Sequence, residues 1–138
     1  MKLIGTKRIM ASDCTVAIDD GYINLRVGAI IMKNGKFLMV GNQKDNYLYS
    51  VGGRIQFGET AEEAIVREVF EETGVKLEID RLGFIHENFF YGDYNSKERL
   101  IWVDENSEIT YYPTFFREEL KRPSAGVKHI VTDRRIKE

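Results

Sequence analysis

Cysteine, histidine and proline are scarce in this chain of 138 residues, which has one cysteine, two histidines and two prolines. The single cysteine, Cys14, cannot form an internal disulfide, and no cluster of cysteine and histidine has the spacing of a zinc site. No apolar run approaches the length of a membrane span, and the first ten residues lack the apolar core of a signal peptide. These absences predict a cytoplasmic protein in a reducing setting, with no membrane partner.

Charge of one sign is not in excess either. The 20 basic and 22 acidic residues leave a formal net charge of −2. Nucleic-acid binding driven by overall positive charge is therefore not expected, and we predict no stable nucleic-acid partner. The length suits one domain, and a hydrophobic content of 43% is typical of a globular chain. We predict a single domain over residues 1–138.

The first half of the chain has the alternation of apolar and polar residues that predicts strands. The pairs Asp20-Gly21 and Asn34-Gly35 each separate two such runs, as in hairpins with tight turns. A third short strand, residues 47–53, ends in a glycine turn. The second half continues with strand-like residues 75–90 and 126–131, and Pro113 predicts the first turn of a short helix that ends near Leu120.

Between these parts the apolar pattern changes to a helical period. Thr60 and Glu63 have the spacing of a capping box, which predicts that a helix begins there, and Gly74 predicts its end. With antiparallel hairpins before this helix and strands after it, the chain is predicted to have an α+β or α/β/α layered architecture.

The predicted helix gathers negative charge on one side. Glu68, Glu71 and Glu72 are three or four residues apart or adjacent, and each like-charged pair at helical spacing costs about 0.2–0.5 kcal/mol. Arg67 is the only basic residue between Glu59 and Gly74, and one positive charge is not enough to neutralise these glutamates. Four apolar residues form the other side, which we expect to pack on a sheet: Ile65, Val66, Val69 and Phe70.

A bound divalent cation would remove this conflict between like charges. Hard cations such as Mg²⁺ prefer carboxylate oxygens and often share their sites with substrate phosphates. The alternative is an acidic helix face that is exposed to solvent and binds no metal. For these three glutamates alone, this alternative would be the better interpretation. The neighbouring glycine turn and Glu59 favour the metal platform.

The spacing of these residues resembles the complete Nudix box. Gly53 is followed after five residues by Glu59, and after seven more by the run Arg67 to Val75, with the sequence REVFEETGV. This resemblance to the Nudix hydrolase family, and to its MutT-like members, implies the Nudix fold, an α/β/α sandwich with a mixed β-sheet between helices. It also implies Mg²⁺-dependent hydrolysis of a nucleoside diphosphate linked to another moiety, in which metal-activated water cleaves the pyrophosphate bond.

The same resemblance implies roles for the carboxylates. Glu68, Glu71 and Glu72 match the metal-binding glutamates, and they are also our catalytic candidates, one of which can act as general base. Glu59 is similar to the loop glutamate that supports the site or takes a further cation. An all-oxygen set of ligands is typical of Mg²⁺ or Mn²⁺. The resemblance does not decide which glutamate is the base.

Three further residues of the box region also receive roles. Arg67 resembles the arginine that orients a catalytic glutamate through a charge-assisted bond. Gly53 matches the glycine whose carbonyl joins the metal site, and it adjoins the substrate. Arg54 is a candidate contact for a substrate phosphate, with a surface arginine as the alternative.

Other functions stay open at this point. A noncatalytic Nudix-like sensor would bind a nucleotide-type small molecule without cleaving it, but such domains usually lose glutamates that this chain retains. An isoprenoid-diphosphate isomerase would need additional Cys or Glu machinery, and messenger-RNA decapping would need a basic region. The region near residues 91–100 is also shorter than the family pattern leads us to expect, by about one or two strands. Either the chain has a true deletion there, or this sequence lacks a stretch that the full protein has, which is the interpretation we favour. A true deletion would leave a sheet edge that a homodimer could cover.

Overall fold

The computed structural model describes residues 12–42, 46–91, 98–122 and 124–135. Ten strands and two helices follow one another in these residues: β1 Thr15–Ile18, β2 Gly21–Asn24, β3 Arg26–Ala29, β4 Met32–Lys33, β5 Lys36–Asn42, β6 Tyr47–Arg54, α1 Ala61–Thr73, β7 Phe84–Phe89, β8 Glu98–Val103, β9 Thr110–Tyr112, α2 Phe116–Glu119 and β10 Lys128–Asp133. They divide into two compact units, of which the first takes residues up to 30 and 51–79, and the second takes 31–50 and the residues from 80 onward.

The first unit is built on two antiparallel strand pairs. Strands β1 and β2 form a hairpin that turns at Asp19-Asp20, one residue earlier than the predicted turn, with Asp19 at φ 50°. Strand β3 pairs with the second half of β6, where Gly28 lies opposite Gly52. A Cβ on Gly52 would lie 2.1 Å from the carbonyl oxygen of Val27, so only glycine fits this close approach of two strands.

Helix α1 has the ends that the sequence predicts. The Thr60 hydroxyl accepts a hydrogen bond from the Glu63 N–H at 3.2 Å, and the Glu63 carboxylate accepts one from the Thr60 N–H at 2.8 Å. At the other end Gly74 takes a left-handed conformation with φ 73°, and its N–H donates to the carbonyl of Phe70. The helix lies against β3.

The predicted packing face of α1 is only partly right. Val69 is buried, but Phe70 is 55% exposed and Ala64, on the glutamate side, is fully buried. The helix therefore turns part of its glutamate side inward, which brings Glu68 against the strand that carries Gly53.

In the second unit, β5 is paired along both of its edges. It runs antiparallel to the first half of β6 on one edge and to β8 on the other, and β9 adds to β6 in parallel. The sheet therefore contains both antiparallel and parallel strand pairs, as the prediction of a mixed sheet requires. Strands β4 and β5 form the predicted hairpin, in which Asn34 and Gly35 both have positive φ, at 52° and 73°.

The core of the second unit is aliphatic along β5 and aromatic around α2. Met39, Val40 and Leu48 are almost completely buried. The Phe37 ring meets the rings of Tyr111 and Phe116 edge to face, with centroids 5.3 and 6.1 Å apart.

Two predicted elements are shorter in the structure. Residues 75–83 form no strand, and the strand-like pattern is realised only from Phe84, where β7 pairs in parallel with β10. Helix α2 begins at Phe116, three residues after Pro113. Most of the predicted strand deletion near 91–100 falls on residues 92–97, which lie outside the described residues. No helix in the described parts of the chain is long and apolar enough to cross a membrane.

Candidate active site

The candidate site lies in the first unit, where β6 ends and α1 begins. Gly53 is the second-last residue of β6, and a short loop then leads through Gln56 and Glu59 to the helix cap at Thr60. This loop is held by its own residues, because the Glu59 carboxylate accepts the Gln56 N–H at 2.9 Å and the Gln56 carbonyl accepts the Glu59 N–H at 3.1 Å. The loop thus fixes Glu59 before the helix starts.

One guanidinium, that of Arg67, joins the carboxylates. Its Nε and Nη2 donate to the two oxygens of Glu59 at 2.7 and 2.9 Å, a bidentate contact. Its Nη1 donates to Glu68 at 2.7 Å and, less closely, to Glu71 at 3.4 Å. We call these four residues, Glu59, Arg67, Glu68 and Glu71, the Arg67 cluster.

The same guanidinium also reaches the strand. Its Nη2 donates to the carbonyl of Arg54 at 3.1 Å, so Arg67 ties α1 to the residue that follows Gly53. Hydrogen bonding to Glu59, with a further contribution from Glu68, raises the pKa of Arg67 above its usual value against the opposing effect of burial. Arg67 therefore stays charged, and the orienting role assigned to it stays a prediction.

The carboxylates of the cluster differ in their freedom. The Glu59 side chain is 4% exposed and satisfied by three N–H donors. Glu68 is mostly buried, whereas Glu71 is 56% exposed. Glu72, the third predicted metal ligand of the helix, is half-buried one residue further along. Glu59 is thus buried and held by Arg67 and by its own loop, and Glu71 is the most exposed carboxylate of the Arg67 cluster.

Gly53 leaves the space that Glu68 occupies. A Cβ at Gly53 would lie 2.4 Å from Cδ and Oε1 of Glu68 and 2.5 Å from its Oε2, much closer than atoms pack. The missing side chain of Gly53 therefore lets the Glu68 carboxylate lie directly against the strand backbone. This contact brings together two of the residues that the sequence assigns to a metal site.

The donors present fit a hard divalent cation in their chemistry. Carboxylate and backbone oxygens are the ligands that Mg²⁺ and Mn²⁺ prefer. Among the described residues, no group of three or more His, Cys, Asp or Glu side chains is arranged to hold a metal ion. The assignment of Gly53, Glu59, Glu68, Glu71 and Glu72 as metal ligands stays a prediction.

One contact near the site has no counterpart in the sequence reasoning. The Arg54 guanidinium lies 3.3 Å from the carboxylate of Asp13, forty-one residues earlier in the chain. No motif includes Asp13, and only the strand pairing that brings residues 12–14 beside residues 55–57 reveals it.

The described residues thus combine strands of a mixed sheet with a glycine turn that leads into a carboxylate-bearing helix. Solved structures with this fold include an ADP-ribose pyrophosphatase from Streptococcus suis, with a TM-score of 0.58 and 18% identity over 78% of this chain and 98% of that one. A UDP-X diphosphatase has a TM-score of 0.55 and 17% identity, over 83% of this chain and 69% of that one. The predicted Nudix fold is confirmed.

The family follows from the sequence match. The profile of the NUDIX domain matches residues 23–129, and the chain belongs to this family. A MutT-like protein from Streptomyces ambofaciens is 34% identical over 62 residues, which are 44% of this chain and 40% of that protein. The match thus spans less than half the length of that relative. The family predicted from the box is confirmed.

Proposed function

We propose that this chain is a hydrolase of acid anhydrides, which cleaves the pyrophosphate bond of a nucleoside diphosphate linked to another moiety. The family and the neighbours named as a pyrophosphatase and a diphosphatase support this class of reaction. The observation that carries the proposal is the Arg67 cluster beside Gly53, in which carboxylates converge next to a strand backbone that lacks a side chain.

The residues of the chain would divide the work as follows. Glu68, Glu71 and Glu72, with the carbonyl of Gly53, would hold Mg²⁺ or Mn²⁺, and Glu59 would support them through Arg67. When bound, the cation supplies positive charge against the phosphates and makes water more acidic. Arg54, next to Gly53, would contact a phosphate of the substrate.

The reaction balances with water as the only co-reactant. The water oxygen bonds to phosphorus while the bridging P–O bond breaks, and the leaving phosphate oxygen keeps the electron pair of that bond. A glutamate of the site accepts the proton of the water as general base. The products are a nucleoside monophosphate and a phosphorylated remainder.

The test is turnover of a substrate panel with Mg²⁺ or Mn²⁺, followed by chromatography of the products. The panel contains nucleoside triphosphates, ADP-ribose, diadenosine polyphosphates and nucleotide sugars. We expect Glu71→Gln to abolish most turnover and to keep the fold, because Glu71 is exposed and its contact with Arg67 is long. Glu62→Gln, the same change in the first turn of the same helix, is the matched control and should leave turnover unchanged.

Two outcomes would contradict the proposal. Full activity of Glu71→Gln would show that the site is assigned wrongly. Tight binding of one panel member with no turnover of any would favour the noncatalytic sensor. The cytoplasmic location and the homodimer expected from the sequence stay predictions.

A further inference from the structure

The start of the described chain pairs with the loop of the candidate site. Cys14 donates its N–H to the carbonyl of Ile55 at 2.7 Å, and Phe57 donates its N–H to the carbonyl of Ser12 at 2.8 Å. Between these two bonds Asp13 lies opposite Gln56 in an isolated antiparallel bridge. Residues 12–14 thus extend the backbone pairing beyond the end of β6, so that Asp13 lies beside the residues that follow Gly53.

The side chain of Asp13 is directed at Arg54. Its Oδ2 lies 3.3 Å from Nη1 of Arg54, and both side chains are partly exposed, at 43% and 30%. The backbone of Arg54 is fixed independently, because its carbonyl accepts a hydrogen bond from Arg67. Arg67 therefore holds the carbonyl of Arg54, and Asp13 contacts its guanidinium.

A structural role alone explains this ion pair poorly. Two backbone hydrogen bonds already hold residues 12–14 to the loop, and a partly exposed ion pair adds little to stability. A guanidinium has five N–H donors in a planar fork, so an arginine that contacts a carboxylate can contact a phosphate at the same time. What the contact does supply is a fixed direction for a long side chain next to Gly53.

We infer that Asp13 is a positioning residue for substrate binding, which orients the guanidinium of Arg54 toward the phosphates of a nucleoside diphosphate derivative. This inference rests on the proposed function. Ordering a flexible arginine before the substrate arrives removes part of the entropy cost of binding. The cost of losing this order corresponds to a rise of about two- to tenfold in KM for one immobilised side chain.

The experiment is a double-mutant cycle on the full chain, with the best substrate of the panel and Mg²⁺. Asp13→Asn should raise KM about two- to tenfold and leave kcat within about twofold, as expected for a loss of uniform binding. Combined with Arg54→Gln, it should add nothing to the effect of Arg54→Gln alone, because Asp13 acts only through Arg54. Asp13→Glu, which keeps the charge, should restore most of the affinity.

A control separates this role from a general effect of charge or folding. Asp20→Asn removes the same charge at the turn of the β1–β2 hairpin and should leave KM unchanged. If Asp13→Asn behaved like Asp20→Asn, or if its effect added fully to that of Arg54→Gln, the inference would be wrong. An effect of Asp13→Asn through unfolding would also be additive in this cycle, so it counts against the inference too.

The failure of the inference can be told apart from failure of the proposed function. If the wild-type protein cleaves no member of the panel, the proposed function fails, and the same cycle is then run on the dissociation constant of ADP-ribose by calorimetry. Coupling between Asp13 and Arg54 in that constant would support the positioning role for a binding site. Absence of both turnover and binding would overturn both proposals.

Discussion

Replacement of Gly53 by alanine tests the geometry of the site with a single methyl group. In the structure, the added Cβ would lie 2.4 Å from the Glu68 carboxylate, whereas non-bonded carbon atoms prefer about 3.5–4.0 Å. The carboxylate must therefore move by about 1 Å. Since it is the far end of a flexible side chain, the move is easy for the fold, but it stretches the 2.7 Å hydrogen bond from Arg67.

The expected effect is large on catalysis and small on stability. A displacement of about 1 Å in a catalytic group can reduce the rate about 100-fold. Overpacking costs about 1–3 kcal/mol, and the lower end applies because Glu68 can turn away. Gly53→Ala should therefore keep a folded protein whose kcat has fallen by about two orders of magnitude.

The assay pairs kcat on the best panel substrate with the free energy of unfolding in urea. Gly83→Ala is the neutral control, because nothing lies within 4 Å of its added Cβ. Gly52→Ala is the opposite control, because its Cβ would meet the rigid backbone of Val27 and its φ is 147°, so the fold should suffer first. Full activity of Gly53→Ala would refute the idea that catalysis requires the space that glycine leaves at position 53 for the Glu68 carboxylate.

Two other substitutions test the electrostatics. Arg67→Lys should lower the free energy of unfolding by about 1–3 kcal/mol, because a lysine cannot make the bidentate contact with buried Glu59. The control Arg81→Lys, at an exposed ion pair, should change the free energy of unfolding by less than about 0.5 kcal/mol. Equal effects of the two substitutions would contradict the importance of the bidentate contact. His86→Asn should weaken the dependence of the free energy of unfolding on pH below about pH 6.5. Burial and the charge of Arg134 lower the pKa of His86, so its contribution is complete above the unfolded pKa of about 6.5 and is lost as pH falls through the folded pKa. Identical slopes below pH 6.5 in urea titrations of the two proteins would refute this role.

Local chemistry made much of the fold predictable from the sequence. The capping box of Thr60, the stop at Gly74 and the turn at Asn34-Gly35 all rest on interactions among residues that are neighbours in the chain, and the structure has each of them. The same holds for Arg67 and Glu71, which the helix brings close together because they are four residues apart. Their assignment to metal binding and catalysis stays a prediction.

What sequence reasoning missed depends on tertiary contacts. Apolar content alone predicts that Phe70 belongs to the packing face of α1, yet Phe70 is 55% exposed and Ala64, which is not in that predicted face, is fully buried. The role of Asp13 is not visible in the sequence, because its partner Arg54 is forty-one residues away and no periodic pattern connects them. Residues 75–83 have the sequence pattern of a strand but pair with no strand among the residues that the structure describes, and an extended pattern alone does not form a strand.

The charge on α1 also has a different balance from the one inferred from counting residues. A single arginine is too few for these carboxylates only if each cation neutralises one anion. The guanidinium of Arg67 is planar and has several donors, so it contacts Glu59, Glu68 and Glu71 at once. The strength of these contacts is graded, from a bidentate bond to buried Glu59 to a 3.4 Å contact with exposed Glu71. A cation entering this site would compete with Arg67 first for Glu71, whose contact with the arginine is the longest and most exposed, while the bidentate bond to Glu59 keeps the loop and the helix together.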